Sequence, residues 1–69
     1  MGQGKIVQVL ELALKMVQPV LVRDFMGVRE CIEAKYDPRE DRVYLRFDGG
    51  EEVEMSPRSY VVIHSIWLG

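Results

Sequence analysis

The stretch from residue 28 to residue 55 constrains the fold more than any other part of the chain, because apolar and polar positions alternate along it. Residues 28–36 and 42–47 show the period of two that is typical of a half-buried β-strand, with Glu30 as the exception. Turn-forming Asp, Pro and Gly residues follow each run, and residues 52–55 alternate again. The pattern predicts an antiparallel meander whose inward side chains are Val28, Ile32, Ala34, Tyr36, Val43, Leu45, Phe47, Val53 and Met55.

The segments on either side of the meander complete a mainly β domain with one helix. Residues 5–18 have helical composition without Gly or Pro, and Pro19 ends the segment. The strands predicted around residues 20–26 and 60–67 are apolar at almost every position, which predicts burial on both faces. The sequence therefore predicts an α+β domain over residues 1–69, with a helix at about 5–18 and a strongly bent, five-stranded antiparallel barrel whose strands lie at about 20–26, 28–37, 42–48, 51–56 and 60–67.

The predicted helix carries more apolar surface than one small sheet covers. Its polar residues form a single narrow stripe, so most of its circumference is apolar. A chain of 69 residues buries only about 60% of its unfolded surface, and a single cysteine allows no internal disulfide. The helix either closes an open end of the barrel and also touches a neighbouring subunit, or packs wholly against other copies. The alternative to both is a helix buried within a monomer. We expect self-association through the helix and the last strand, at Leu10, Leu14, Val17, Val62, His64 and Ile66.

Composition and motifs exclude several classes of function. A net charge of −2 and a pI near 5.3 give no general attraction to nucleic acid. The sequence shows neither a membrane span nor a signal peptide, so we expect a cytoplasmic protein without a membrane partner. Cys31 and His64 are the only candidate catalytic pair, and each is better explained as structural. We therefore expect no catalytic residues, no cofactor and no metal site.

Basic and aromatic residues on the second strand of the meander form the candidate binding site. Arg42, Tyr44 and Arg46 alternate onto its outward face, and Arg58 lies in the turn before the last strand. An aromatic ring between guanidinium groups is an arrangement that binds single-stranded RNA. Acidic residues are available on the neighbouring strands, so the sequence favours the structural interpretation, a set of cross-strand ion pairs with Glu33, Glu52 and Glu54.

The order of a helix and then five short strands, with a helical turn at residues 56–59, resembles the Sm-like fold, including its bacterial RNA-chaperone branch. The resemblance implies a ring in which residues 52–55 of one subunit pair with residues 60–66 of the next. It also implies RNA binding at the link between these strands, where Arg58 stands in for the Lys-His pair of the bacterial branch. Residues 47–53 and 60–63 are also similar to the closing half of Tudor-like and KOW-like barrels, which bind peptides, methylated side chains or ribosomal partners.

These observations predict a non-catalytic, oligomeric small β-barrel that works as a binding module. In the first hypothesis the module is Sm-like and binds single-stranded RNA through Arg42, Tyr44, Arg46 and Arg58. The alternative hypothesis is a Tudor-like protein-interaction or scaffold module without a nucleic-acid role, which presents an acidic rim at Glu51 and Glu52 to its partner.

Overall fold

The structure of the protein is a computed structural model, and it describes residues 4–64. Its six strands form one antiparallel sheet in the order β1-β6-β2-β3-β4-β5, and the sheet is not closed. The mainly β prediction with one helix is therefore confirmed, whereas the sheet has six strands instead of the predicted five. The elements are β1 (Lys5–Gln8), α1 (Val9–Lys15), β2 (Val20–Asp24), β3 (Gly27–Asp37), β4 (Arg42–Phe47), β5 (Glu52–Met55) and β6 (Tyr60–Ile63).

The helix is shorter than predicted, because its first four residues form the additional strand β1. Residues 5–8 pair with β6, and within them Val7 faces the core while Ile6 is exposed. The apolar residues that were expected to surround a long helix thus belong partly to a strand. The helix also ends at Lys15, several residues before Pro19.

The start of α1 is stabilised by the loop between β5 and β6 and not by a side-chain cap. Gln8, the residue before the helix, is extended and makes no side-chain capping bond. The N–H of Val9 donates to the carbonyl of Ser59 at 2.8 Å, and that of Leu10 donates to the carbonyl of Pro57 at 3.2 Å. These bonds satisfy donors that a helix leaves unpaired at its start, so no Ser, Thr, Asp or Asn is needed there. This capping requires residues far apart in sequence.

The turns of the meander form where the sequence predicts them. Gly49 and Gly50 have φ values of +103° and +96°, in the left-handed region that glycine adopts without steric cost. In the preceding turn, the N–H of Arg39 donates to the Asp37 side chain at 3.0 Å, the local bond that favours Asp in turns. The inward positions of β4 and β5 are confirmed, since Val43, Leu45 and Phe47 are buried and Val53 and Met55 are half-buried.

A β-bulge changes which residues of β3 face the core. The register with β4 shifts between Cys31 and Glu33, so the alternation changes phase there. Cys31 is buried, whereas Val28 and Ile32 are exposed, so their predicted inward orientation is wrong. Ala34 and Tyr36, beyond the bulge, are half-buried as predicted.

The helix packs on the inner face of the sheet, where the core lies. Val9 and Leu12 of α1 join the buried side chains of five strands, and the described residues contribute no buried polar or charged side chain to this core. Burying such a side chain contributes about 1.5–3 kcal/mol of hydrophobic stabilisation. The buried residues are Val7, Val9, Leu12, Val20, Val22, Cys31, Val43, Leu45, Phe47, Val61 and Ile63.

The pairing of β6 bears on the ring that the Sm-like resemblance implies. β1 occupies one edge of β6 along its whole length, and β2 pairs with Val62 and Ile63 at the other edge. Residues 60–63 therefore have no free edge on the β1 side to offer a neighbouring subunit, while β5 lies at an end of the sheet. Residues 64–67 of the predicted last strand lie beyond β6, and those after His64 are outside the described part of the chain.

Candidate protein-binding surface

The outer face of the sheet, opposite the helix, is divided into a charged half and an apolar half. Side chains of directly paired residues lie on the same face of a sheet, so the strand register assigns each one to its half. The charged half, here called the ionic patch, consists of Glu33, Lys35, Asp37, Arg42, Tyr44, Arg46, Glu52 and Glu54 on β3, β4 and β5. The apolar half, here called the apolar patch, consists of Ile6, Leu21, Val28, Tyr60 and Val62 on β1, β2, β3 and β6.

Cross-strand ion pairs hold the cations of the ionic patch. The Arg46 guanidinium lies 2.7 Å from Glu33, and the Nε atom of Arg42 lies 3.3 Å from Glu54. The Lys35 ammonium is 3.7 Å from Glu33. All these side chains are at least one-third exposed, and exposed pairs of this kind contribute about 0.2–1 kcal/mol. The arginines are thus electrostatically compensated within the chain.

Tyr44 lies between the two paired arginines on the same outward face, as the alternation predicted. It is opposite Lys35 on one neighbouring strand and opposite Glu54 on the other. Desolvation raises the pKa of Tyr44, and the Glu54 carboxylate adds to this effect. The phenol therefore stays protonated and uncharged at neutral pH.

Arg58 lies beside the start of β4, so the fold brings it towards the other three predicted RNA-binding residues. Its Nη1 atom is 3.4 Å from a carboxylate oxygen of Asp41, the residue that precedes Arg42. Tyr36 donates to the other carboxylate oxygen of Asp41 at 2.9 Å. Each of the three candidate arginines therefore has a carboxylate within 4 Å.

The apolar patch is built from three adjacent rows of cross-strand neighbours, one of which contains Tyr60 opposite Gln8. Ile6, Val62, Arg23 and Val28 form one row across β1, β6, β2 and β3. In the next row Leu21 pairs with Glu30 and accepts a backbone hydrogen bond from His64. The exposed fraction is 69% for Ile6 and 52% for Val28, which is high for side chains in a regular sheet.

Arg23 and His64 form the polar part of this half of the sheet. The Nε atom of Arg23 donates to Nε2 of His64 at 3.1 Å, which requires an imidazole that carries its proton on Nδ1. Cys31 faces the core on the opposite side of the sheet, and burial raises the pKa of its thiol. The fold therefore does not bring the cysteine and the histidine together as a catalytic pair.

The tip of the β2–β3 hairpin adds exposed apolar side chains next to the apolar patch. Phe25 is 90% exposed and Met26 is exposed as well, and both lie in a tight turn that ends at Gly27 with a φ of +109°. The N–H of Met26 donates to the Asp24 carboxylate at 2.8 Å, which fixes the turn. Phe25 and Met26 are therefore exposed on a turn that a hydrogen bond holds in place.

Arg29 clamps this hairpin to the turn between β4 and β5. Its guanidinium lies 2.9 Å from Asp24, also contacts Glu51, and stands 4.0 Å above the centre of the Phe47 ring. Desolvation lowers the pKa of Arg29, but the hydrogen bond and charge of Asp24, together with Glu51, outweigh it and raise the pKa. The Glu51 carboxylate, expected to form part of an acidic rim, is therefore engaged within the chain.

A shallow groove of about 240 Å³ lies on the helix side of the molecule, between the end of α1 and the bulge of β3. Met16, Val17 and Pro19 form one wall, and Ile32 and Ala34 form the other. The volume is below the range of about 300–1,000 Å³ that is typical of small-molecule sites. The groove is therefore a weaker candidate site than the apolar patch.

The residues predicted to form one oligomer interface lie on two different surfaces. Leu14 and Val17 are exposed on the helix side, and Leu10 there is half-buried. Val62 and His64 lie on the outer face of the sheet, and Ile66 is outside the described residues. A single contact with another subunit therefore does not engage both groups.

Sequence reasoning missed Ile6, Leu21 and Val28 as surface residues. Leu21 belongs to a run in which both faces were predicted to be buried, yet Val20 and Val22 alone face the core. The apolar run itself was the signal, because apolar residues on the outer face of a small sheet often mark an interaction surface. The bulge that exposes Val28 has no comparable signature in the sequence.

Comparisons and searches for other sites add only negative findings. No known protein family, curated protein or solved structure matches this chain. Within residues 4–64, the His, Cys, Asp and Glu side chains form no group that could hold a metal ion. In the same part of the chain, no helix has the length and apolarity needed to cross a bilayer.

Proposed function

We propose that the protein is a non-catalytic binding module that binds a protein chain through the apolar patch. The observation that carries this proposal is the exposure of Ile6, Leu21, Val28 and Tyr60 on one face of a regular sheet. Their exposed fractions are 69%, 42%, 52% and 63%, and apolar side chains exposed together on one face often mark an interaction site.

The character of the patch favours a protein as its partner. Its side chains are held in place by strand pairing on β1, β6, β2 and β3, so little conformational entropy is lost when they are covered. Arg23 lies between Val62 and Val28, and Glu30 and His64 lie beside the apolar groups, so the surface combines apolar side chains with a few polar ones, as protein interfaces do. A membrane-binding surface would instead combine apolar residues with several Lys and Arg side chains.

Single-stranded RNA is the second candidate ligand, and the ionic patch is the surface that would bind it. The observation in its favour is Tyr44, which lies between Arg42 and Arg46 on one outward face. The observation against it is that both arginines already pair with carboxylates, which a phosphate would have to displace. The net charge of −2 also opposes the approach of a polyanion.

The first experiment places a photo-crosslinking amino acid at residue 28 of the chain, expressed in the cells that make it naturally. We expect a covalent adduct with a protein, and we expect Ile6→Glu to abolish it because the added charge lies in the same row of the patch. The matched control carries the crosslinker at residue 44 in the ionic patch, where we expect no adduct. Absence of any protein adduct at residue 28, or equal yields at both positions, would contradict the proposal.

The second experiment titrates fluorescent oligo-U and oligo-A with the protein and measures anisotropy at several salt concentrations. We expect no binding that weakens with increasing salt. Salt-sensitive binding that is lost in Arg42→Glu and Arg46→Glu, but not in Arg23→Glu, would instead support RNA as the ligand.

A further inference from the structure

We infer that the protein chain that covers the apolar patch is a second copy of this chain, in a symmetric face-to-face dimer in which Arg23 of each copy meets Glu30 of the other. This inference rests on the proposed function, because it names the partner of the same surface. It depends on the charges within the patch, on their positions relative to each other, and on the surface that the chain exposes.

Two opposite charges on this surface lack an ionic partner among residues 4–64. Arg23 uses its Nε atom to bind His64, and within residues 4–64 no carboxylate lies within 4 Å of its guanidinium. Glu30 is exposed, and in the described part of the chain no cation pairs with its carboxylate. Most acidic and basic side chains of the neighbouring ionic patch, by contrast, are paired. The apolar patch therefore carries one cation and one anion that form no ion pair within the described part of the chain.

The register places these two charges diagonally across neighbouring strands. Arg23 is opposite Val28 and Leu21 is opposite Glu30, so the four residues form a quadrilateral with the charges at two opposite corners. Consider a two-fold axis that lies in the interface, close to the line from Leu21 to Val28. Rotation about this axis places Arg23 of one copy near the position of Glu30 in the other. Arg23 then faces Glu30 of the second copy, and Leu21 and Val28 each pack near their own symmetry equivalents. This self-complementarity is what an interface with two-fold symmetry requires.

The chain has enough surface for a dimer of this kind. An interface of standard size takes about 800 Å² from each partner, and the chain exposes 4653 Å² in total. A domain of 69 residues also has a small core, so covering exposed Leu21 and Val28 at the axis adds hydrophobic stabilisation that the single chain lacks.

Exchange of the two charges tests the inference through the mass of the protein in solution. Sedimentation equilibrium of the whole chain should give twice the monomer mass of 8.0 kDa. Arg23→Glu and Glu30→Arg should each weaken the dimer at least about tenfold, because like charges then face each other at two symmetric positions. The double variant Arg23→Glu with Glu30→Arg should restore the dimer, since opposite charges meet again. Arg42→Glu, a charge reversal in the ionic patch, should leave the dimer unchanged, and circular dichroism should show that all variants fold.

Three results would overturn the inference. A wild-type protein that stays monomeric at several hundred micromolar has no such dimer. If the dimer tolerates both single charge reversals, it forms through another surface. If the double variant does not recover the dimer, Arg23 and Glu30 do not contact each other across the interface. The crosslink at residue 28 separates these failures from a failure of the proposed function. An adduct with a different protein refutes the second copy and keeps the binding module, whereas the lack of any adduct refutes both.

Discussion

Leu12→Ala tests whether the short helix is held by the sheet of its own chain. The side chain of Leu12 is 0% exposed and belongs to the core formed by α1 and the inner face of the sheet. Truncation of a fully buried leucine removes its transfer free energy and leaves a cavity, at a total cost of about 2–5 kcal/mol. A domain of this size has an unfolding free energy of only about 3.5–10 kcal/mol. We therefore expect the loss of about a fifth or more of the stability, and a decrease in Tm of at least about 8 °C.

The matched control for this change is Leu14→Ala, which makes the same truncation two residues further along the helix. Leu14 is 70% exposed, and alanine has at least the helix propensity of leucine, so we expect a change within about 0.5 kcal/mol. Urea unfolding at low protein concentration, monitored by far-ultraviolet circular dichroism, gives both free energies. Equal costs for the two variants would refute the reasoning, because they would show that the helix packs against another subunit through Leu14. A small cost for Leu12→Ala would show that the helix does not cover the core.

Two further predictions concern the clamp and the buried thiol. Arg29→Met should lower the free energy of unfolding in urea by about 1–3 kcal/mol, because it leaves the Asp24 carboxylate, only 8% exposed, without its cation. The control Arg42→Met removes the same charge from an exposed pair and should lower it by less than about 1 kcal/mol. Equal losses for the two variants would contradict the role of the clamp. Cys31 is buried, and burial raises the pKa of its thiol. An aromatic disulfide reagent at pH 8 should therefore label the native protein at least about 100-fold more slowly than the denatured protein, which is the ratio expected for an opening free energy of about 3 kcal/mol. Comparable labelling rates would show that the thiol is accessible.

The meander was predictable because local chemistry decides it. Glycines at residues 49 and 50 adopt positive φ values, and the alternation in 42–47 orients three apolar side chains towards the core. The N-terminal segment was predicted incorrectly for the opposite reason. Residues 5–8 have no strong local preference against a helix, and their strand forms only because β6 lies beside them. A partner more than 50 residues away in sequence, as Gln8 and Tyr60 are, leaves no local signature.

The candidate surface was only partly predictable from the sequence. The alternation of Arg42, Tyr44 and Arg46 correctly placed these residues on the outward face, and the acidic partners Glu33 and Glu54 were anticipated. The excess of apolar surface was also anticipated, but it was assigned largely to the helix. In the structure much of it lies on the outer face of the sheet instead, because β1 replaces the first turn of the helix and the bulge of β3 exposes Val28.

By itself, the sequence determined the mainly β character, the turns of the meander and the charge pattern of β4, since these depend on the side chains and backbone preferences of neighbouring residues. Only the tertiary structure decided where the helix begins, which face Val28 takes, and which side chains assemble into the apolar patch. Those features depend on hydrogen bonds and packing between distant segments, and such pairings have no counterpart in a local pattern. The diagonal arrangement of Arg23 and Glu30 belongs to the second group, because it exists only once β2 and β3 are paired in register.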